Sequence, residues 1–228
     1  MCGRFYLLSH QEAIRERFGI EEFDFEITPR YNIAPQQKIA VAVSDPKVRL
    51  VGMHWGLVPF WAKDMKIGNR MINARAETLV EKRAFKPAFK KRRCIILSSG
   101  FYEWQRTAKG KKPMNIRLQS GDPFALAGIY ERWKAPSEKI ILSTAIITTR
   151  PNKTLSSIHN RMPVILRRDD ERAWMDVDLD DLDRLQQMLQ PYSDDEMEAF
   201  EVSTYVNNPK NEGPMCIRPI DSEQASLL

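Results

Sequence analysis

The stretch FALAGIYERWKAPSEKIILSTAIITT, residues 124–149, holds two of the runs that set the fold class, Phe124–Tyr130 and Ile140–Thr149. Both are rich in apolar and β-branched residues, the pattern of strands buried in a sheet. Working outward, the same signal recurs at Cys94–Ser98, Met114–Leu118 and Pro163–Leu166, at Ile39–Ser44 and Val48–His54, and in a last strand at Ala199–Tyr205. Helices are few. Ser9-His-Gln-Glu12 reads as a capping box opening a helix through Phe18, with Gly19 as its stop. Asp169–Met175 and Asp180–Leu189 read as helices whose acidic first turns complement the dipole. PRYNIAP, residues 29–35, carries two prolines and reads as an ordered but irregular segment. The sum is an α+β fold: one strand-dominated domain over 1–228, with a curved antiparallel sheet or barrel-like core and helices outside.

The 228 residues are 43% hydrophobic and 29% charged, ordinary for a soluble chain. No apolar run approaches the roughly 18–20 residues of a membrane span, and the N-terminus lacks a signal-peptide core, so a cytosolic or nucleoid location and no membrane are expected. Cys2, Cys94 and Cys216 are odd in number and widely spaced, which implies neither a disulfide framework nor a zinc site; no metal or cofactor is required. Charge is unevenly placed. Residues 1–168 hold 31 Lys+Arg against 14 Asp+Glu, whereas residues 169–201 hold 2 against 13. So basic a leading segment attracts a polyanion, nucleic acid first; the alternative is that the two segments neutralise each other on folding.

Cys2 follows the initiator Met1 directly, and cysteine is small enough for methionine removal. The exposed residue then carries both a free α-amine and a thiol. The amine, with a reference pKa of about 7.7–8.0, attacks an aldehyde to give an imine. The thiol closes onto the imine carbon to give a five-membered thiazolidine, an intramolecular step with a high effective concentration. Gly3 permits close backbone approach to a ligand. Arg4 places a cation beside the nucleophile, where it is expected to lower the thiol pKa and hold a phosphate.

Three further constellations combine polar groups with turn or aromatic residues. In MINARAE (71–77), Asn73 and Arg75 alternate with apolar neighbours and face one side of a strand, suited to a sugar hydroxyl and a phosphate, or else to a turn and a bare surface. In SSGFYEW (98–104), Glu103 lies among aromatics, where desolvation raises a carboxyl pKa toward the range useful for proton transfer; an arginine partner is the alternative. Trp104 beside it either stacks on a base or fills the core. In TLSSIHNRMP (154–163), His159 is placed to shuttle protons and Arg161 to grip phosphate, though a lone histidine is more often structural; His10 and His54 are read as structural. EKRAFKPAFKKRR (81–93) and the loop-like run Arg106–Lys112 supply basic groups for a backbone, with Phe85 and Phe89 read mainly as core anchors. HWGLVPFW (54–61) offers two tryptophans, as a stacking wedge or a core corner.

MCGRF (1–5), YNIAP (31–35), WGLVPFWA (55–62), NARAET (73–78), GFYEW (100–104), HNRMP (159–163) and VNNPKNEGP (206–214) together resemble the SRAP family, the SOS response-associated peptidases that include abasic site processing proteins. The resemblance runs through essentially the whole chain in order. It implies a barrel-like β core and recognition of abasic sites in single-stranded DNA, including junctions with duplex. It also implies a thiazolidine crosslink through Cys2 once Met1 is removed, by self-cleavage or by an aminopeptidase. In that scheme Cys2 is the nucleophile, Asn73 positions it and the opened sugar, Glu103 exchanges protons, and His159 assists ring opening. Arg4, Arg75, Trp104 and Arg161 bind DNA around the lesion. A monomer is expected. Two other readings use the same residues: an N-terminal-nucleophile amidohydrolase or peptidase, and a plain single-strand-binding module.

Overall fold

The computed structural model describes residues 2–44 and 46–220. In chain order the strands are β1 (Phe5–Leu7), β2 (Glu22–Phe23), β3 (Arg30–Ile33), β4 (Lys38–Ser44), β5 (Val48–Trp55) and β6 (Asn73–Arg75). They continue with β7 (Arg93–Ser98), β8 (Gly100–Thr107), β9 (Gly110–Leu118), β10 (Phe124–Lys134), β11 (Ile140–Thr149), β12 (Met162–Pro163) and β13 (Met197–Glu201). The helices are short: α1 (Gln11–Phe18), α2 (Lys86–Lys91), α3 (Lys153–Ser156), α4 (Glu171–Met175) and α5 (Leu182–Gln187).

The continuous apolar runs build a closed barrel. β11, β10, β7, β4 and β5 pair antiparallel in that order, and a parallel pairing of β5 with β11, His54 opposite Ser143 and Trp55 opposite Thr144, closes the ring. Val41, Ile96, Ala127 and Ile146 are fully buried. β6 adds to β11 in parallel, Asn73 opposite Ile146. A second, antiparallel sheet runs β13-β9-β8-β1-β3. The N-terminal strand therefore lies inside a sheet, with β8 on one side and β3 on the other. Phe5 meets Trp55 edge-to-face, centroids 5.1 Å apart, and so packs this sheet against the barrel.

Outside the barrel, Trp174 of α4 is buried and its indole N–H donates to the Cys94 carbonyl at 2.9 Å. Beside it Arg93, almost fully buried, donates to the carbonyls of Trp174, Phe89, Lys90 and Leu179 at 2.8–2.9 Å and to that of Asp176. One guanidinium thus satisfies the C-terminal carbonyls of α2 and α4, which lack partners within their own helices.

Several expectations shift. The N-cap of α1 is His10, without a side-chain cap bond, so the Ser9–Glu12 box does not form; Glu12 pairs with Arg15 at 3.5 Å instead. Gly19 ends the helix with φ +60°, as its position predicts. PRYNIAP is not irregular, because its prolines flank rather than interrupt β3, an edge strand that needs only one set of partners. Arg106–Lys112 is no loop but the tip of the β8–β9 hairpin. The last strand ends at Glu201, and a 3-10 turn takes Thr204–Asn207. In the α2 region Phe89 is buried and Phe85 packs on the core. Among the described residues, four ion pairs join the acidic 169–201 stretch to the basic segment: Arg17–Glu171, Lys112–Glu201, Arg117–Glu198 and Lys153–Asp194. Folding therefore neutralises part of the charge asymmetry.

Candidate active site around Cys2

Three segments far apart in sequence meet at Cys2. The register of β1 on β8 pairs Phe5 with Phe101 and Tyr6 with Gly100, and the Tyr102 amide donates to the Arg4 carbonyl at 2.9 Å. Ahead of β1, the buried Cys2 thiol lies within electrostatic reach of the Glu103 carboxyl. Alternation along β8 sends Phe101 and Glu103 toward the barrel and Tyr102 and Trp104 to the other face. Tyr6 and Tyr102 stack there, centroids 5.4 Å apart. From the barrel side, the Asn73 side-chain amide donates to the Cys2 carbonyl at 2.8 Å. Asn73 is held in turn by its neighbour Ile72, whose carbonyl accepts from the Trp55 indole at 3.0 Å and the Ile146 amide at 3.1 Å.

Cys2 and Glu103 are both buried. Burial, reinforced by the Glu103 carboxylate, pushes the Cys2 thiol well above its ordinary pKa. This reverses the expectation that Arg4 would lower it: the Arg4 guanidinium is turned away and engaged elsewhere. Burial also raises the Glu103 carboxyl, an effect partly offset by His159, whose ring is near enough to favour the carboxylate. His159 follows α3, which Asn152 caps through its side chain at 3.1 Å. His159 Nδ1 lies 3.0 Å from the Arg161 amide nitrogen and 3.2 Å from the Arg161 carbonyl oxygen, so the Arg161 backbone fixes that edge of the ring.

The residues assigned to DNA divide into two kinds. Arg75 is exposed at the end of β6. Trp104 is half-buried, with its indole N–H donating to Asn207 Oδ1 at 2.7 Å and the Arg4 guanidinium 5.7 Å over its ring. Arg4 also donates to Asn32 Oδ1 at 2.7 Å and to the Val206 carbonyl at 2.9 Å. Arg161 is largely buried and makes a two-pronged pair with Glu77 at 2.6 and 2.9 Å, besides a bond to the Thr148 carbonyl at 2.5 Å. A cleft of about 370 Å³, lined by Trp104, Arg106, Ser157, His159 and Asn160 among others, opens beside the site. Of the two tryptophans in WGLVPFW, Trp55 is core and Trp61 is exposed next to Phe60, with Arg83 5.5 Å over its ring. Among the described residues no group of three or more His, Cys, Asp or Glu could hold a metal ion.

Asn32 was not singled out from the sequence, yet it organises this end of the molecule. Fully buried, its amide donates to the carbonyls of Val206, Asn208 and Asn211 at 3.2, 3.0 and 2.9 Å. The amide of YNIAP thereby ties VNNPKN to Arg4. The available signal was two asparagine-bearing segments whose polarity nothing local explained.

Residues 1–209 match the model of a family described as SOS response associated peptidase (SRAP). The chain is 48% identical over 221 residues to the abasic site processing protein YoqW of Bacillus subtilis, covering 95% of this chain and 99% of that one. It is 34% identical over 235 residues to the rat abasic site processing protein HMCES, covering 85% of this chain and 65% of the relative. Among solved structures, a protein from Bacteroides thetaiotaomicron superposes with a TM-score of 0.85 at 25% identity, covering 96% of this chain and all of the other. With the family model matching residues 1–209 and the likeness to YoqW running over 95% of its length, this chain belongs to the SRAP family.

Proposed function

We propose that this chain processes abasic sites in single-stranded DNA by capturing them covalently through Cys2 once Met1 has been removed. The observation that carries the reading is the convergence on Cys2 of Asn73, which pins its carbonyl at 2.8 Å, and Glu103, a buried carboxyl in electrostatic contact with its thiol. The names borne by its relatives support the substrate class.

In this mechanism the Cys2 α-amine adds to C1′ of the ring-opened deoxyribose. Glu103, kept protonated to higher pH by burial, gives a proton to the carbinolamine hydroxyl, which leaves as water. The resulting carboxylate then takes the Cys2 thiol proton as sulfur bonds to C1′ of the iminium, whose nitrogen keeps its own hydrogen, so Glu103 ends protonated as it began. The thiol, held neutral by burial, acts second. His159, coupled to Glu103, assists opening of the sugar ring. Asn73 Oδ1, buried and without a hydrogen-bond partner among the described residues, offers an acceptor to a sugar hydroxyl. Arg75 and Arg161 hold flanking phosphates, Trp104 stacks beside the lesion, and Arg4 braces Trp104.

Intact mass of the purified protein, with and without a uracil-excised oligonucleotide, tests the proposal. A single adduct that has lost one water, formed by chains lacking Met1 and absent in Cys2→Ala, is the expected result. An unchanged adduct in Cys2→Ala, or one formed by chains retaining Met1, overturns it. Turnover of an amide without DNA would favour the amidohydrolase.

A further inference from the structure

Arg161 and Glu77 are unequal partners. The guanidinium is largely buried, its side chain 16% exposed, and is locked from behind by the Thr148 carbonyl and hydroxyl at 2.5 and 3.4 Å. The carboxylate is 52% exposed, on a 3-10 turn at Ala76–Thr78, and can swing into solvent. The fork is therefore fixed and its occupant movable. Two parallel N–H···O bonds of 2.6 and 2.9 Å are the geometry in which a guanidinium holds a phosphate as readily as a carboxylate. Exposed Arg75 lies two residues before Glu77, and a cleft of about 310 Å³ lined by Glu77, Thr149 and Arg150 among others adjoins the pair.

From this asymmetry we infer that Glu77 is a built-in stand-in for a DNA phosphate: it occupies the Arg161 fork in the free protein, and a phosphodiester of the bound strand displaces it. The inference rests on the DNA-binding reading above and adds a specificity element to it. A strand gains the Arg161 contact only by first displacing a carboxylate, which lowers affinity for casual polyanions. On displacement Glu77 moves toward Arg75, whose charge already favours its anionic form.

The test is a double-mutant cycle on the full chain, read as equilibrium binding of an intact single-stranded oligonucleotide at low salt. The same variants are then titrated with a uracil-excised strand. Glu77→Gln, nearly isosteric and on an exposed turn, is expected to tighten binding about two- to fivefold and to lower the half-saturating concentration for adduct formation. In an Arg161→Ala background the gain disappears. Glu77→Gln binding no tighter than wild type overturns the inference, as does an undiminished gain in Arg161→Ala, which would mean general charge repulsion. Absence of any wild-type adduct would instead overturn the functional reading, leaving the intact-strand cycle to judge the exchange by itself.

Discussion

The side-chain amide of Asn73 holds the peptide carbonyl of Cys2 at 2.8 Å, so a strand of the barrel sheet aligns a residue at the start of the other sheet. Without that bond the chain end keeps its strand partners but loses the contact that fixes its direction. Asn73→Ala is expected to slow adduct formation at saturating DNA about tenfold, the equivalent of one hydrogen bond of roughly 1.4 kcal/mol. Single-turnover gel kinetics would read it. Wild-type rates would remove Asn73 from the positioning role.

Glu103 ties chemistry to pH. Burial raises its carboxyl pKa in the folded chain, so folding favours the protonated form. The stability this group contributes is fully present below its unfolded pKa of about 4.3 and is lost as pH rises through the higher folded value. Glu103→Gln should flatten that part of the melting temperature–pH curve and be no less stable than wild type at neutral pH, while adduct formation slows by about a hundredfold. Thermal melts from pH 4 to 8 beside crosslinking rates would show both; a variant clearly less stable than wild type at pH 7.5 would contradict the account.

The glycine of GFYEW is required by close approach. A Cβ at Gly100 would lie 2.2 Å from the Tyr6 hydroxyl and 2.4 Å from its ring carbon Cζ. Tyr6 is buried and anchored to Asn115 at 3.1 Å, so it has no room to yield. Gly100→Ala is expected to cost about 1–3 kcal/mol in urea unfolding and to disturb the β1–β8 register that brings Glu103 to Cys2. A variant with wild-type stability would show that the ring can move.

Arg93 carries no expected catalytic role but holds five carbonyls in the core beside α2 and α4. Arg93→Met fills similar volume and leaves those oxygens without donors. It is expected to destabilise the fold by at least about 3 kcal/mol, since buried acceptors lose partners without access to water. Denaturant unfolding would measure it, and a loss under about 1 kcal/mol would mean that water replaces the guanidinium.

The barrel strands were legible because their side chains are apolar on both faces, a signal strong even in short runs such as Cys94–Ser98. Closure was not, since the parallel contact of Trp55 with Thr144 joins positions with no local mark of their pairing. Cys2 stood out by residue type and position, whereas local setting left Asn73, Glu103 and His159 with structural alternatives and the family resemblance supplied their roles; folding brings Cys2, Asn73 and Glu103 together, with His159 within electrostatic reach of Glu103. The sequence could not say which arginines are spent internally. Arg4, Arg75 and Arg161 look alike as letters, but Asn32 and Glu77 engage two of them through contacts 28 and 84 residues away in the chain. The rise of the thiol pKa is illegible in the sequence for the same reason: proximity in sequence of Arg4 to Cys2 says nothing about which way the guanidinium points.

Because β1 is flanked on both sides, a group joined to Cys2 as proposed hangs from a short lead into an embedded strand. Tension along that strand loads the backbone bonds to β8 and β3 in shear, together, instead of peeling them one by one. A force on a strand held in the proposed way would thus act on the folded body as a whole.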